Sequence, residues 1–168
     1  MINEVLHGDC LDVLKTFPDN YFDSLVTDPP ASFSFMSKKW DDDKGGITPS
    51  TGTAARYFKQ LPFDTDTVNS IYDKAKASTT DRNCKGLVNN DHPTVKSRHL
   101  MAYFIKLITP PNGIVLDPFG GSGTTAVSAI ETGFNYVLIE KEEEYLNIIN
   151  QRISATKSKI KQLELTTN

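Results

Sequence analysis

The chain has 168 residues, 38% of them hydrophobic, and a mean hydropathy of -0.36, which suits one soluble globular domain. No run of about 18 apolar residues occurs, and Glu4 stands where a leader would be basic, so no membrane span or secretory leader is expected and the cytoplasm is the expected compartment. Cys10 and Cys84 are too few for a disulfide framework and lack the paired spacing of a zinc site, so they are expected to be free thiols, with no metal. The net charge of -3 argues against nucleic-acid binding by bulk charge, but residues 72–106 hold 7 basic and 3 acidic side chains, against 4 and 9 in residues 1–50. Such a run is either a solvated face or a local basic surface.

In chain order, Glu4–Gly8 has a strand pattern, Asp12–Phe17 suits a short helix before Pro18, and Asp23–Thr27 a second strand. That strand runs into Asp28-Pro29-Pro30, where two residues without amide hydrogens end any ladder. Residues 31–53 are expected to form a loop with embedded aromatics, and residues 54–76 fit neither period. Ser78–Asp91 is polar and expected to be loop, while Thr94–Ile108 carries a helical stripe of Leu100, Met101, Phe104, Ile105 and Ile108. After a Pro-Pro-Asn-Gly break, Ile114–Leu116 is a buried strand, Thr124–Glu131 a helix capped by Gly133, Tyr136–Ile139 a strand ending at Glu140, and Glu142–Lys161 a long helix. Leu163–Asn168 is expected to fray. Strands alternating with helices imply an α/β fold with a parallel sheet and a site at the strands' carboxyl ends.

Asp117-Pro118-Phe119-Gly120-Gly121-Ser122-Gly123-Thr124 joins a strand to a helix through a glycine-rich turn. Glycine admits positive φ and close approach of a ligand, and a helix amino end offers unpaired amides to an anion. The next strand ends in Glu140, 23 residues after Asp117, placed to accept from ribose hydroxyls. That layout suggests a nucleoside-cofactor site, without the lysine of a P-loop or the glycine spacing of the dinucleotide fingerprint. The bland alternative is a tight turn with a surface glutamate.

These residues resemble the cofactor motif of DNA amino-methyltransferases, which bind S-adenosylmethionine. Asp28-Pro29-Pro30 resembles that family's catalytic motif, and Asn90-Asp91-His92-Pro93-Thr94-Val95-Lys96 the segment before its cofactor loop. Catalytic motif before cofactor motif is the order of the circularly permuted β class, and the likeness covers residues 1–44 and 72–153. The resemblance implies a Rossmann-like methyltransferase fold, permuted and shortened. It divides one domain into a catalytic part (1–44), a short variable insert (45–91), a cofactor-binding part (92–153) and a tail (154–168).

By the same resemblance, Asp28 and the Pro29 carbonyl hold an exocyclic amine of adenine (N6) or cytosine (N4) in double-stranded DNA, with Pro30 stiffening the turn. Asp9 accepts from the cofactor's adenine amino group, and Thr94 and Lys96 lie at its methionine end, with Lys96 facing the carboxylate. A base in a duplex has to be flipped out and stacked on an aromatic. The family's aromatic after the second proline is Ala31 here, so Phe33 is the preferred stacking face, with Phe35 and Trp40 as alternatives. Only 61 residues separate Pro30 from His92, fewer than the family uses for its remaining strands and target recognition. A shortened sheet exposes an edge; either a homodimer completes it, or the chain is a remnant that keeps the motifs and loses turnover. Methyl transfer to RNA or protein is the third reading.

Overall fold

The computed structural model describes residues 2–28, 77–84, 86–92 and 95–166, all within one compact unit. Pro29, Pro30, Phe33, Phe35, Trp40 and Thr94, and the segments read as loop or as ambiguous between residues 31 and 76, lie outside the described residues.

In chain order the elements are β1 (Glu4–His7), α1 (Cys10–Leu14), β2 (Ser24–Leu25), α2 (Thr79–Asn83), α3 (Arg98–Ile108), β3 (Ile114–Asp117), α4 (Thr124–Thr132), β4 (Asn135–Glu140) and α5 (Glu143–Thr166). The four strands form one parallel sheet in the order β1-β4-β3-β2, as the alternation implied. β1 pairs with β4 through Val5↔Leu138 and His7↔Glu140, so the first strand in sequence lies beside the last.

The register explains the sequence pattern. Val5, Val115, Tyr136 and Leu138 face one layer, where they pack with Met101, Ile105, Ala126, Ala129, Ile149 and Ile153 of α3, α4 and α5. Leu6, Leu116, Val137 and Ile139 face the other, against Val13, Leu14, Phe17, Tyr21 and Phe22. A parallel sheet covered on both faces needs apolar residues at every position, which is why Ile114–Leu116 and Tyr136–Ile139 are unbroken apolar runs instead of alternating ones. Val115, Val137, Leu138 and Ile139 have no exposed surface.

Four expectations need correction. The stretch read as loop from Ser78 contains α2, held by a capping box: the Ser78 hydroxyl accepts from the Asp81 amide and the Asp81 carboxylate accepts from the Ser78 amide. The first helix spans Cys10–Leu14, because Asp9 caps it and accepts from the Leu11 amide. α3 begins at Arg98, because the Ser97 side chain takes the N-cap role. α5 continues to Thr166, past the helix end expected at Lys161. Each of the first three turns on a short polar side chain satisfying a helix's orphan amides.

Candidate active site

The parallel sheet brings four acids to its carboxyl edge in the order Asp9, Glu140, Asp117, Asp28, with Glu140 and Asp117 ending β4 and β3 and Asp9 and Asp28 just beyond β1 and β2. Gly8 donates its amide to the Glu140 carbonyl at 3.0 Å, which sets Asp9 beside the end of β4, as expected for a neighbour of the Glu140 strand. At the other side, Val26 donates to the Leu116 carbonyl, extending the β2–β3 pairing toward Asp28.

Asp117 is buried and fully engaged. One carboxylate oxygen accepts from the Thr27 hydroxyl at 2.7 Å and the Phe119 amide at 3.1 Å; the other accepts from the Thr125 hydroxyl. Burial pushes its pKa up to about 6, against these three donors, all of which suit the ionised form. Through Thr27, the loop opened by Asp117 is fastened to the strand end that carries Asp28.

Glu140 is 8% exposed. Its two oxygens accept from the Gly121 amide at 2.6 Å and the Glu142 amide at 2.8 Å, so it already fixes the glycine turn and the start of α5. A carboxylate has about four lone-pair sites, so acceptor capacity is left for a hydroxyl pair. The glycines answer to packing as much as to a ligand. Gly121 and Gly123 have positive φ, and a Cβ would meet the His92 ring at 3.2 Å and Ile149 at 2.9 Å respectively. Gly120 donates its amide to the Ile139 carbonyl, and its missing side chain lets the loop lie against β4. The Phe119 ring is 40% exposed beside this turn.

His92 packs edge-on to Tyr145 at 4.5 Å between ring centroids. Burial, followed by Arg82, Arg152 and Lys96, holds its pKa below the ordinary value, which suits a neutral packing group and not a proton carrier.

Two site residues have protein partners of their own. Lys96 faces Asp28, with Nζ 2.9 Å from Oδ2. Asp9 spends one oxygen on the α1 cap and has Lys141 Nζ 3.7 Å from the other. Among the described residues of the basic run, both arginines are engaged within the protein. Arg98 is engaged by Asp81 and Glu131, and Arg82 donates to the His92 carbonyl at 2.7 Å.

Sequence reasoning missed Arg152. It has no exposed surface, yet one terminal nitrogen reaches the Ser122 carbonyl, the Ser122 hydroxyl and the Thr124 hydroxyl, and the other reaches the Asp81 carbonyl at 2.8 Å. It therefore ties the glycine turn to α2 from behind. Its signal was present: a cation in helical register with the apolar Ile149 and Ile153. Thr27 and Thr125 gave no such signal, because a hydroxyl beside a motif looks like any other.

A family model described as DNA methylase, covering N6 and N4 methyltransferases, matches residues 20–151. The chain belongs to this family. YubD of Escherichia coli (strain K12) is 26% identical over 215 aligned positions that cover 96% of this chain and 94% of that protein. The alignment is longer than the 168-residue chain, so YubD carries residues with no counterpart here. The type II methyltransferase M.HinfI of Haemophilus influenzae is 38% identical over 74 residues, 44% of this chain but only 21% of its own length. Among solved structures, the M1.HpyAVI–SAM complex superposes with a TM-score of 0.52 over 89% of this chain and 98% of that one, at 23% identity. That likeness supports the methyltransferase fold of this family member. No helix among the described residues is long and apolar enough to cross a membrane.

Proposed function

We propose that the chain binds S-adenosylmethionine at the Asp117–Thr125 turn and Glu140, and transfers its methyl group to an exocyclic amine of adenine or cytosine in double-stranded DNA at Asp28. The observation that carries this reading is the Thr27–Asp117 hydrogen bond of 2.7 Å, which joins the acceptor-holding strand end to the cofactor turn on one sheet edge. Family membership supports the reaction class.

The residues present fit the cofactor. Glu140 offers spare acceptor sites beside a turn whose backbone is fixed by Gly121 and Arg152, and Asp9 stands at the adjacent strand end. Bound there, S-adenosylmethionine supplies a methyl group activated by the sulfonium. Asp28 does the positioning: it accepts a hydrogen bond from the acceptor amine, together with the Pro29 carbonyl, and so turns the lone pair toward the methyl. Pro30 limits the carbonyl's movement and Phe33 stacks the flipped base, which contributes roughly 1–3 kcal/mol. Thr94 and the 118–124 turn complete the cofactor side. The bulk of the binding contacts and the acceptor contact are thus on different strands, so one is removable without the other.

A second element of the reading is a homodimer that completes the sheet, which the short segment between Pro30 and His92 suggests. DNA as substrate is consistent with a cytoplasmic protein. The decisive test is single-turnover methylation of duplex DNA beside calorimetric cofactor affinity, for wild type, Asp28→Ala and Glu140→Ala. Glu140→Ala is expected to weaken cofactor binding and Asp28→Ala to stop transfer. No cofactor heat at millimolar concentration rejects the binding site, and transfer only to RNA or protein rejects the DNA reading. Sedimentation of the same protein tests the dimer.

A further inference from the structure

We infer that Lys96 is a positioning residue for Asp28, pinning one carboxylate oxygen so that the other receives the acceptor amine; this rests on Asp28 being the acceptor-orienting group. The pair is built from both sides. Lys96 lies between Val95 and Ser97, 8% and 0% exposed, so its backbone is anchored on either flank. Asp28 follows Val26, whose amide bonds β3, and Thr27, whose hydroxyl bonds the buried Asp117. The side chains then meet with Nζ 2.9 Å from Oδ2 and remain 38% and 52% exposed. The Lys15–Asp12 pair is the contrast: it joins α1 to its own C-cap residue at 75% and 76% exposure.

A carboxylate on a solvent-facing strand end rotates about its terminal bond, and rotation moves both oxygens. An ammonium on Oδ2 removes that freedom and leaves Oδ1, which no donor among the described residues reaches. An exocyclic amine has N–H groups to donate and needs one fixed acceptor to set its tilt. Lys96 thus selects Oδ1 for the amine, and its charge keeps Oδ2 out of competition. This differs from the role the family resemblance implies, in which Lys96 faces the cofactor's carboxylate.

The two roles separate in a double-mutant cycle with Lys96→Met, Lys96→Arg, Asp28→Asn and the Lys96→Met/Asp28→Asn pair. Each is assayed for urea midpoint, calorimetric S-adenosylmethionine affinity and single-turnover rate on duplex DNA at saturating cofactor. Lys96→Met is expected to slow transfer by about tenfold or more, as when a near-attack geometry loosens. Its cofactor affinity should stay within about threefold of wild type, and Lys96→Arg should recover most of the rate. Because Lys96 acts through Asp28, adding Lys96→Met to Asp28→Asn should cost nothing further. Cofactor affinity reduced by about tenfold in Lys96→Met, with wild-type rate restored at saturation, would overturn this role and leave the proposed function standing. Additive losses in the double variant would overturn it as well. If Asp28→Asn transfers methyl as fast as wild type, the acceptor assignment itself fails, and this role with it.

Discussion

The glycine turn and the Asp28 strand end sit on one sheet edge but are held by different means. In the turn, both oxygens of Asp117 and both of Glu140 are occupied by internal donors, and Arg152 grips Ser122 and Thr124 from a fully buried position. At the strand end, Asp28 is half-exposed and meets Lys96 through one contact. The difference separates stability from chemistry. Disturbing the turn should lower stability, because buried polar groups lose partners; disturbing the strand end should spare the fold and change turnover.

The largest effect is expected at Arg152. Arg152→Ala strands the Ser122 and Asp81 carbonyls and leaves a cavity, and is expected to cost about 4 kcal/mol in urea unfolding. Arg152→Met fills the space and should lose less. A full-cost Arg152→Met would show that the hydrogen bonds, and not the volume, hold the turn.

Asp117 sharpens the contrast through pH. Its folded pKa of about 6 lies above the ordinary 3.8, so the protonated acid favours the folded state. That contribution is fully present below the unfolded value and is lost as pH rises through about 6. Relative to Asp117→Asn, the wild type should therefore lose up to about 3 kcal/mol between pH 4 and 7, since each tenfold difference in proton affinity between the two states is worth about 1.36 kcal/mol. Parallel stability curves for the two proteins would mean the carboxyl does not titrate in this window.

At the strand end, Asp28→Ala should reduce single-turnover methylation on the order of 100-fold, with urea midpoint and cofactor affinity nearly unchanged. Equal loss of stability and rate would erase the distinction between the two regions. A smaller effect is expected at Gly123→Ala, where positive φ and a Cβ 2.9 Å from Ile149 should cost about 2 kcal/mol, read from the thermal midpoint. An unchanged midpoint would mean that α5 yields to the turn. Smallest is the salt response: with Arg82 and Arg98 engaged inside the protein, the log of DNA affinity against log salt should have a slope shallower than seven phosphate contacts would give, at about -0.9 per contact.

The residue pattern by itself determined the layered α/β fold and the positions of the three motifs. Apolar runs, prolines and glycines act locally, through backbone geometry and burial on both sheet faces. The strand-end positions of Asp28, Asp117 and Glu140 were legible for the same reason: each stands at the carboxyl end of a largely apolar run, and strand ends in a parallel sheet converge. The short helix α2 was written in Ser78 and Asp81 but hidden by its polar composition. Only the tertiary structure decided what those side chains touch. Lys96 meets Asp28, Thr27 meets Asp117 and Arg152 meets Ser122 across separations of 68, 90 and 30 residues. Such contacts depend on strand order and helix rotation, and a hydroxyl or an ammonium carries no local mark of its distant partner.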